Sequence, residues 1–393
     1  MAQRFVERLI EYLRGLGLIA AGVMVAVLCG EVMVRYMAPQ NMYRFPKGLF
    51  VNEAGRRYKL AANFTGESKT AEYRATIATN SLGLREDREY PEKANGTYRV
   101  ISLGDSFAMG VGVELEDSLA KVLERLCQSE DKGLKCEVIN AGVPGYNTRQ
   151  EVAYLRDEGL KLKPNYVLLQ FYVGNDITDN FYQPAQIVVD GYLRDEPPPP
   201  GVLPYKIRDI LAIKSQLYHF LWPLVDRTFD PSRRERDRRR LERFLSVYEV
   251  SDNQGTQAMW NTTWHLLMEL KRLTGAHSVG LGVAVIPDPI QVSGHKWARA
   301  IEAIGRDAGK YELENPNRRI VELCNSLGIA VLDLLPTFIK DNGSEPTYFN
   351  LDGHWTKRGN LLAAQAVEVF LEDVKVRNVP NPKNPAVEPV STR

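Results

Sequence analysis

The chain has 393 residues, 44% hydrophobic and 25% charged, and its 50 Lys+Arg against 49 Asp+Glu leave a formal net charge of +1 at pH 7. That length holds one large domain with additions or two modest ones, and the composition is that of a folded chain rather than a disordered one. A balance this close to neutral gives no electrostatic footprint for nucleic acid, and no internal repeat is visible.

Residues 16–30 carry no charge, and the apolar character resumes after Glu31 with Val32-Met33-Val34. About 18 apolar residues or more read as a membrane span, and about 10–14 as a buried helix or a signal h-region. No small-x-small cleavage site follows the run, and bulky Leu28 before Cys29 speaks against lipidation there. Residues 16–35 are therefore expected to be an uncleaved transmembrane anchor behind a short cytoplasmic tail, 1–15, with Glu31 at the headgroup level. The flanking cations, Arg4, Arg8 and Arg14 before and Arg35, Arg44 and Lys47 after, nearly cancel. The shortness of the tail places the body outside, which makes this a single-pass protein of the inner membrane with an extracytoplasmic main domain.

Residues 36–96 hold short Tyr/Arg-rich segments and turn signals such as Asn80-Ser81-Leu82-Gly83 and Asn95-Gly96, and read as a linker and lead-in along the edge of the main domain. From there strand and helix patterns alternate over 97–376. A strand is expected at 100–103 and a helix near 117–127. A second strand at 137–140 precedes a helix capped by Asn147 or Thr148. A continuous apolar strand, of the kind buried on both faces, follows at 166–172. Strands at 279–286 and 329–332, with a helix at 317–327 between them and a last helix at 357–374, complete the series. This alternation predicts a three-layer α/β/α sandwich around a five-stranded parallel sheet.

Cys127 and Cys136 bracket a polar loop within disulfide reach or stand as two thiols, and Cys324 is expected on a packed helix face. An insertion at about 180–262 carries a four-proline run at 197–200. It also carries a basic run (Arg233, Arg234, Arg236, Arg238, Arg239, Arg240 and Arg243) interleaved with Glu235, Asp237 and Glu242. That run reads as a solvated helix face, or more sharply as a contact for anionic headgroups or glycan. A Pro-rich tail occupies 377–393.

The chemistry gathers at strand ends. Gly104-Asp105-Ser106-Phe107 follows the first strand and Asn140-Ala141-Gly142-Val143-Pro144-Gly145 the second. Gly174-Asn175-Asp176 follows the third, and Asp352-Gly353-His354-Trp355 lies beyond the fifth. All four segments project from the carboxyl edge of one sheet, where open α/β sheets bind ligands. A serine hydroxyl needs a base to take its proton, and His354 suits that role with Asp352 fixing its tautomer. Negative charge developing on a substrate oxygen needs fixed donors, which the backbone N–H groups of Ser106 and Gly145 and the side-chain amide of Asn175 supply.

At these residues the chain resembles the SGNH hydrolases, also called the GDSL family, whose four blocks are named for a Ser, a Gly, an Asn and a His. The resemblance covers about residues 98–375 without the insertion. It implies a flavodoxin-like fold with Ser106, His354 and Asp352 as the triad and Ser106, Gly145 and Asn175 as the oxyanion hole. Many members place the Asp three residues before the His, whereas here the separation is two; Asp-x-His-Trp resembles envelope members that act on acetylated polysaccharides.

Gly142 is expected to be a turn glycine, and Asp105 and Asp176 to brace their loops. His219, His265, His277 and His295 lack partnered motifs, and no His/Cys/carboxylate cluster has ligand spacing, so neither metal nor cofactor is expected. Trp355, Phe181, Tyr182, Tyr192 and Trp222 are candidates for stacking on sugar rings. The expected function is that of a serine esterase that deacetylates an envelope or exported polysaccharide through an acyl-enzyme. The alternatives are an O-acyltransferase with the same triad and a carbohydrate-binding scaffold without turnover. The expected partners are an acylated carbohydrate, the membrane, and envelope proteins at the insertion.

Overall fold

The computed structural model describes residues 2–40, 42–128, 135–183, 185–195, 205–229, 232–305 and 307–378. The four-proline run and residues 379–393 of the Pro-rich tail lie outside them.

The chain opens with helix α1 (Ala2–Met37), which absorbs the stretch expected to be a separate tail. Its Arg4–Met37 portion is long and apolar enough to cross a membrane and is almost entirely exposed. Two antiparallel hairpins follow, β1 (Phe50–Glu53) with β2 (Arg57–Leu60) and β3 (Thr65–Lys69) with β4 (Arg74–Ala78). The lead-in is thus more than a linker. Buried and exposed residues alternate along β2 and β4, the period of a half-buried strand. Their inward side chains, Tyr58, Leu60 and Ile77, pack with Leu49, Phe50, Met109, Val143 and Tyr146 in a core of their own.

The main sheet starts with β5 (Thr97–Gly104), followed by the single turn α2 (Ser106–Met109) and α3 (Leu119–Cys127). Next come β6 (Lys135–Gly142), α4 (Thr148–Asp157) and β7 (Tyr166–Tyr172). Asn147 caps α4 in a reciprocal capping box with Gln150, as its position before the helix predicts. The insertion holds α5 (Asp176–Tyr182), the hairpin β8 (Gln186–Val189) and β9 (Tyr192–Asp195), and helices α6 (Tyr205–Lys214), α7 (Gln216–Phe229) and α8 (Ser232–Leu245). It gives way earlier than expected, because α9 (Gln254–Ala276) already covers the sheet through Met259, Trp260, Leu267 and Leu270. The series closes with β10 (Gly280–Ile286), α10 (Pro289–Val292), α11 (Gly294–Ile304), α12 (Asn315–Ser326), β11 (Ala330–Asp333), α13 (Leu335–Lys340) and α14 (Lys357–Asn378).

The five strands run parallel in the order β11-β10-β7-β5-β6, the flavodoxin-like order with its switch point between β5 and β7. Alternate side chains serve opposite layers. Ile101, Leu103, Val167, Leu169, Val283 and Val285 pack with α4, α9 and α12. Val100, Val138, Leu168, Ala284 and Ile286 pack with α3, α13 and α14. A strand buried on both faces has no polar side to alternate with, which is why 166–172 reads as one apolar run. Cys324 lies buried in the first of these layers. Cys127 at the end of α3 and Cys136 in β6 form a disulfide.

Candidate active site

β5 delivers Ser106 to the carboxyl edge of the sheet. Its last residue, Gly104, pairs with Gly142 of β6 and Gln170 of β7. A Cβ on Gly104 would lie 2.7 Å from the Ala108 Cβ and 3.0 Å from the Gln170 carbonyl oxygen, at a φ of +153°. Only glycine lets the chain turn there. Asp105 then caps α2, its Oδ1 accepting from the Phe107 N–H at 2.8 Å, and Ser106 is the first residue of that turn.

His354 arrives from the other end of the chain. Its Nε2 lies 2.7 Å from Ser106 Oγ, and its Nδ1 bonds to Asp352 Oδ1. With the proton on Nδ1 and shared with the carboxylate, Nε2 is left to accept from the serine hydroxyl. The two-residue spacing works because Gly353, at a φ of +84°, reverses the chain between acid and base. Burial works against the Asp352 charge, yet the His354 hydrogen bond and the nearby Arg44 hold its carboxyl at about 2. Burial also lowers the His354 imidazole below its ordinary value; Asp352 opposes that shift and Arg44 adds to it.

The acid's surroundings were not legible in the sequence. Arg44 donates to Asp352 Oδ2, with its Nη1 3.1 Å from His354 Nδ1, and the Tyr73 hydroxyl donates to the same Oδ2 at 3.2 Å. Glu72 accepts from the N–H groups of Asn350, Leu351 and Asp352, the last at 2.7 Å. All three residues belong to the lead-in, and no motif marks them; the sequence showed Arg44 only as a charge flanking the anchor.

Besides Ser106 itself, the expected oxyanion donors Gly145 and Asn175 lie on the loops that follow β6 and β7. Gly145 has a φ of +78°, and a Cβ there would lie 2.8 Å from the Tyr58 hydroxyl oxygen. That hydroxyl donates to the Pro144 carbonyl at 2.9 Å and fixes the loop. Among the described residues, no backbone carbonyl accepts from the N–H of Ser106 or of Gly145. Asn175 lies after β7, at the N-cap of α5, with its Nδ2 3.5 Å from Asp105 Oδ2. Gly142 is a close-approach residue rather than a donor, since a Cβ there would come within 2.1 Å of the Met109 nitrogen.

Behind this edge lie three buried carboxyls. Asp105 and Asp176 brace loops as expected, Asp176 accepting from the Tyr172 N–H at 2.8 Å. Glu151 of α4 joins them with both oxygens unpartnered among the described residues. Burial pushes all three up, Asp105 to about 7, and the Asp105 charge adds to the effect on Glu151.

The aromatic platform is not assembled. Trp355 is 1% exposed, stacked on Phe338 and edge-on to Phe107, so it is core. Phe181 packs on Tyr182, Tyr192 on Tyr43, and Trp222 on Tyr218. His219, His265 and His277 each bond a nearby helical carbonyl, and His295 is exposed.

Residues 244–390 match the family described as "SGNH hydrolase-like domain, acetyltransferase AlgX", a stretch that takes in Asp352 and His354. Solved structures with a similar chain path include the lipase/acylhydrolase from Enterococcus faecalis (14% identity, 72% of this chain and 98% of that one, TM-score 0.38). A two-domain esterase (CEX) active on acetylated mannans gives 14% identity over 72% of this chain and 51% of that one, TM-score 0.38. The acetyl xylan esterase AlAXEase gives 13% over 68% and 97%, TM-score 0.37. No curated protein matches the chain by sequence.

Proposed function

Because the chain carries an SGNH hydrolase-like domain, we propose that it is a serine enzyme that takes an acyl group, most simply acetyl, from an oxygen ester of a carbohydrate. The observation that carries this reading is the continuous line Asp352–His354–Ser106, with 2.7 Å between Nε2 and Oγ. Ser106 is the nucleophile, His354 the general base and Asp352 the residue that orients it. As Ser106 Oγ bonds to the ester carbon, its proton passes to His354 Nε2. The carbonyl oxygen becomes an oxyanion, held by the N–H groups of Ser106 and Gly145 and by Asn175 Nδ2, donors worth about 3 kcal/mol each. Collapse breaks the bond to the leaving alcohol, which takes the proton from His354 and leaves acyl-Ser106. Water, activated by the same imidazole, then releases the acid.

A specific observation favours a second reading of the last step. The matched family is described as an acetyltransferase, and in that reading a sugar hydroxyl replaces water and leaves with the acetyl group. The exported location rests on α1 as a membrane anchor and on the Cys127–Cys136 disulfide, which suits an oxidising compartment.

The test is p-nitrophenyl acetate turnover by the full chain and by Ser106→Ala, with fluorophosphonate labelling mapped to its peptide. Turnover and label at Ser106, both absent from the variant, support the acyl-enzyme. Label without turnover until an oligosaccharide acceptor is added supports transfer. Folded protein with neither result overturns both readings.

A further inference from the structure

The insertion makes a second connection to the anchor. The corner between α6 and α7 is built onto α1 by directed bonds. Glu31 accepts from the N–H of Gln216, the N–H of Leu217 and the hydroxyl of Ser215, each within 2.8–2.9 Å. Arg35 donates to the Lys214 carbonyl at 2.9 Å. A Cβ on Gly30 would lie 3.2 Å from the Leu217 side chain, so the two helices cross there. Glu31 thereby caps the first turn of α7 and satisfies donors that a helix leaves open.

The height of this corner follows from α1. A helix needs about 20 residues to cross the hydrocarbon core, and counted from Leu16, the first residue of the expected anchor, that length ends at Arg35. The α6–α7 corner therefore meets α1 where it leaves the hydrocarbon. The two helices that leave this corner carry exposed apolar side chains. Ile207 and Ile210, one turn apart on α6, are 50% and 57% exposed, and Phe220 and Leu221 on α7 are 44% and 42% exposed. The Tyr218–Trp222 stack, centroids 5.0 Å apart, lies on the same helix. Tyr and Trp favour the membrane interface, where one end of the ring is apolar and the other wet. Exposed large side chains in this concentration are unusual on a water-facing surface.

We infer that α6 and α7 form an interfacial helical hairpin that lies on the bilayer beside α1, with Ile207, Ile210, Phe220 and Leu221 entering the lipid. The occupant of this face is lipid because the hairpin is bonded, through Glu31 and Arg35, to the end of the helix that crosses the bilayer. The protein then holds its membrane at two places and has a fixed tilt relative to it. This inference goes beyond the proposed acyl transfer and rests only on α1 as an anchor.

The test uses the full chain in lipid nanodiscs, with Cys29→Ser and Cys324→Ser to remove the two free thiols and one cysteine introduced at Ile210, Leu221, Met33 or Lys296, each carrying an environment-sensitive fluorophore. Ile210→Cys and Leu221→Cys are expected to emit at shorter wavelength than Lys296→Cys. Lipids spin-labelled near the headgroup should quench them as strongly as Met33→Cys on α1. Water-like emission at Ile210 and Leu221, with Met33 quenched, overturns the hairpin and leaves the anchor standing. Short-wavelength emission without lipid quenching overturns it in favour of a protein covering the face. No quenching at Met33 removes the anchor itself, and with it this inference, while acyl transfer at Ser106 keeps its separate test.

Discussion

Arg44 donates to Asp352 Oδ2 across 308 positions of sequence, and the same guanidinium lies 3.1 Å from the Nδ1 of His354. A cation so placed stabilises the carboxylate and disfavours the imidazolium. It keeps the base neutral at lower pH, while Asp352 pulls the other way. Arg44→Met is therefore expected to raise the His354 pKa and move the acidic limb of the kcat/KM profile to higher pH. Tyr73→Phe, which removes a neutral donor from the same oxygen, should move that limb far less. Esterase rates measured from pH 4 to 9 distinguish this from a purely structural Arg44, whose loss would lower the rate without moving the limb.

The oxyanion donors give a second expectation. Asn175→Ala should lower kcat by about 10²–10³ with little change in KM, because the amide acts on charge that exists only in the transition state. Asp352→Asn should cost about 10⁴ in kcat, as the wrong imidazole tautomer then faces Ser106. An Asn175→Ala variant with unchanged kcat and raised KM would assign that amide to substrate binding instead.

Glu151 is 1% exposed with neither oxygen partnered among the described residues, and burial raises its pKa well above 4.5. A raised folded-state value means that the folded protein holds the proton more tightly than the unfolded one. The resulting stability is complete below pH 4.5 and declines as pH rises toward the folded value. Asp105, raised from 3.8 to about 7, contributes a similar decline over that window. Glu151→Gln should flatten the fall in Tm between pH 5 and 8 and leave Tm near pH 5 almost unchanged. A mutant curve parallel to the wild type would show that Glu151 is already ionised in the fold.

The disulfide closes a short loop, Cys127 to Cys136 at a separation of 9. Replacing both cysteines by serine should destabilise the domain by about 2–3 kcal/mol, at the lower end for such crosslinks. Denaturant midpoints with and without reductant check this, and reductant should leave the double-serine variant unmoved.

How much of this the sequence disclosed depended on whether neighbours in the chain are also neighbours in space. The five sheet strands were legible because each is a local apolar run, Ser106 and Asn175 because each sits in a short motif just after a strand, and His354 because it sits in the short Asp-x-His-Trp motif. The hairpins of the lead-in were missed because strands of four or five residues with Arg, Lys and Glu on their outer side resemble a loop. Arg44, Glu72 and Tyr73 were missed for a different reason. What defines them is contact with a loop some 280 to 308 positions away, and no local pattern encodes that. Trp355 next to the base suggested a sugar platform, but the helical layer beneath His354 needed a large core residue and took it. For the disulfide, the residues defined the loop while leaving the sulfurs' separation open.

The run from Ala38 to Arg44 joins the end of α1 to a residue bonded inside the triad. Whatever its path, a chain of that length reaches at most about 25 Å. Under the proposed anchoring of α1 in a bilayer, Ser106 is held within a few nanometres of the membrane surface. For the proposed carbohydrate ester, the site then meets its substrate close to that membrane.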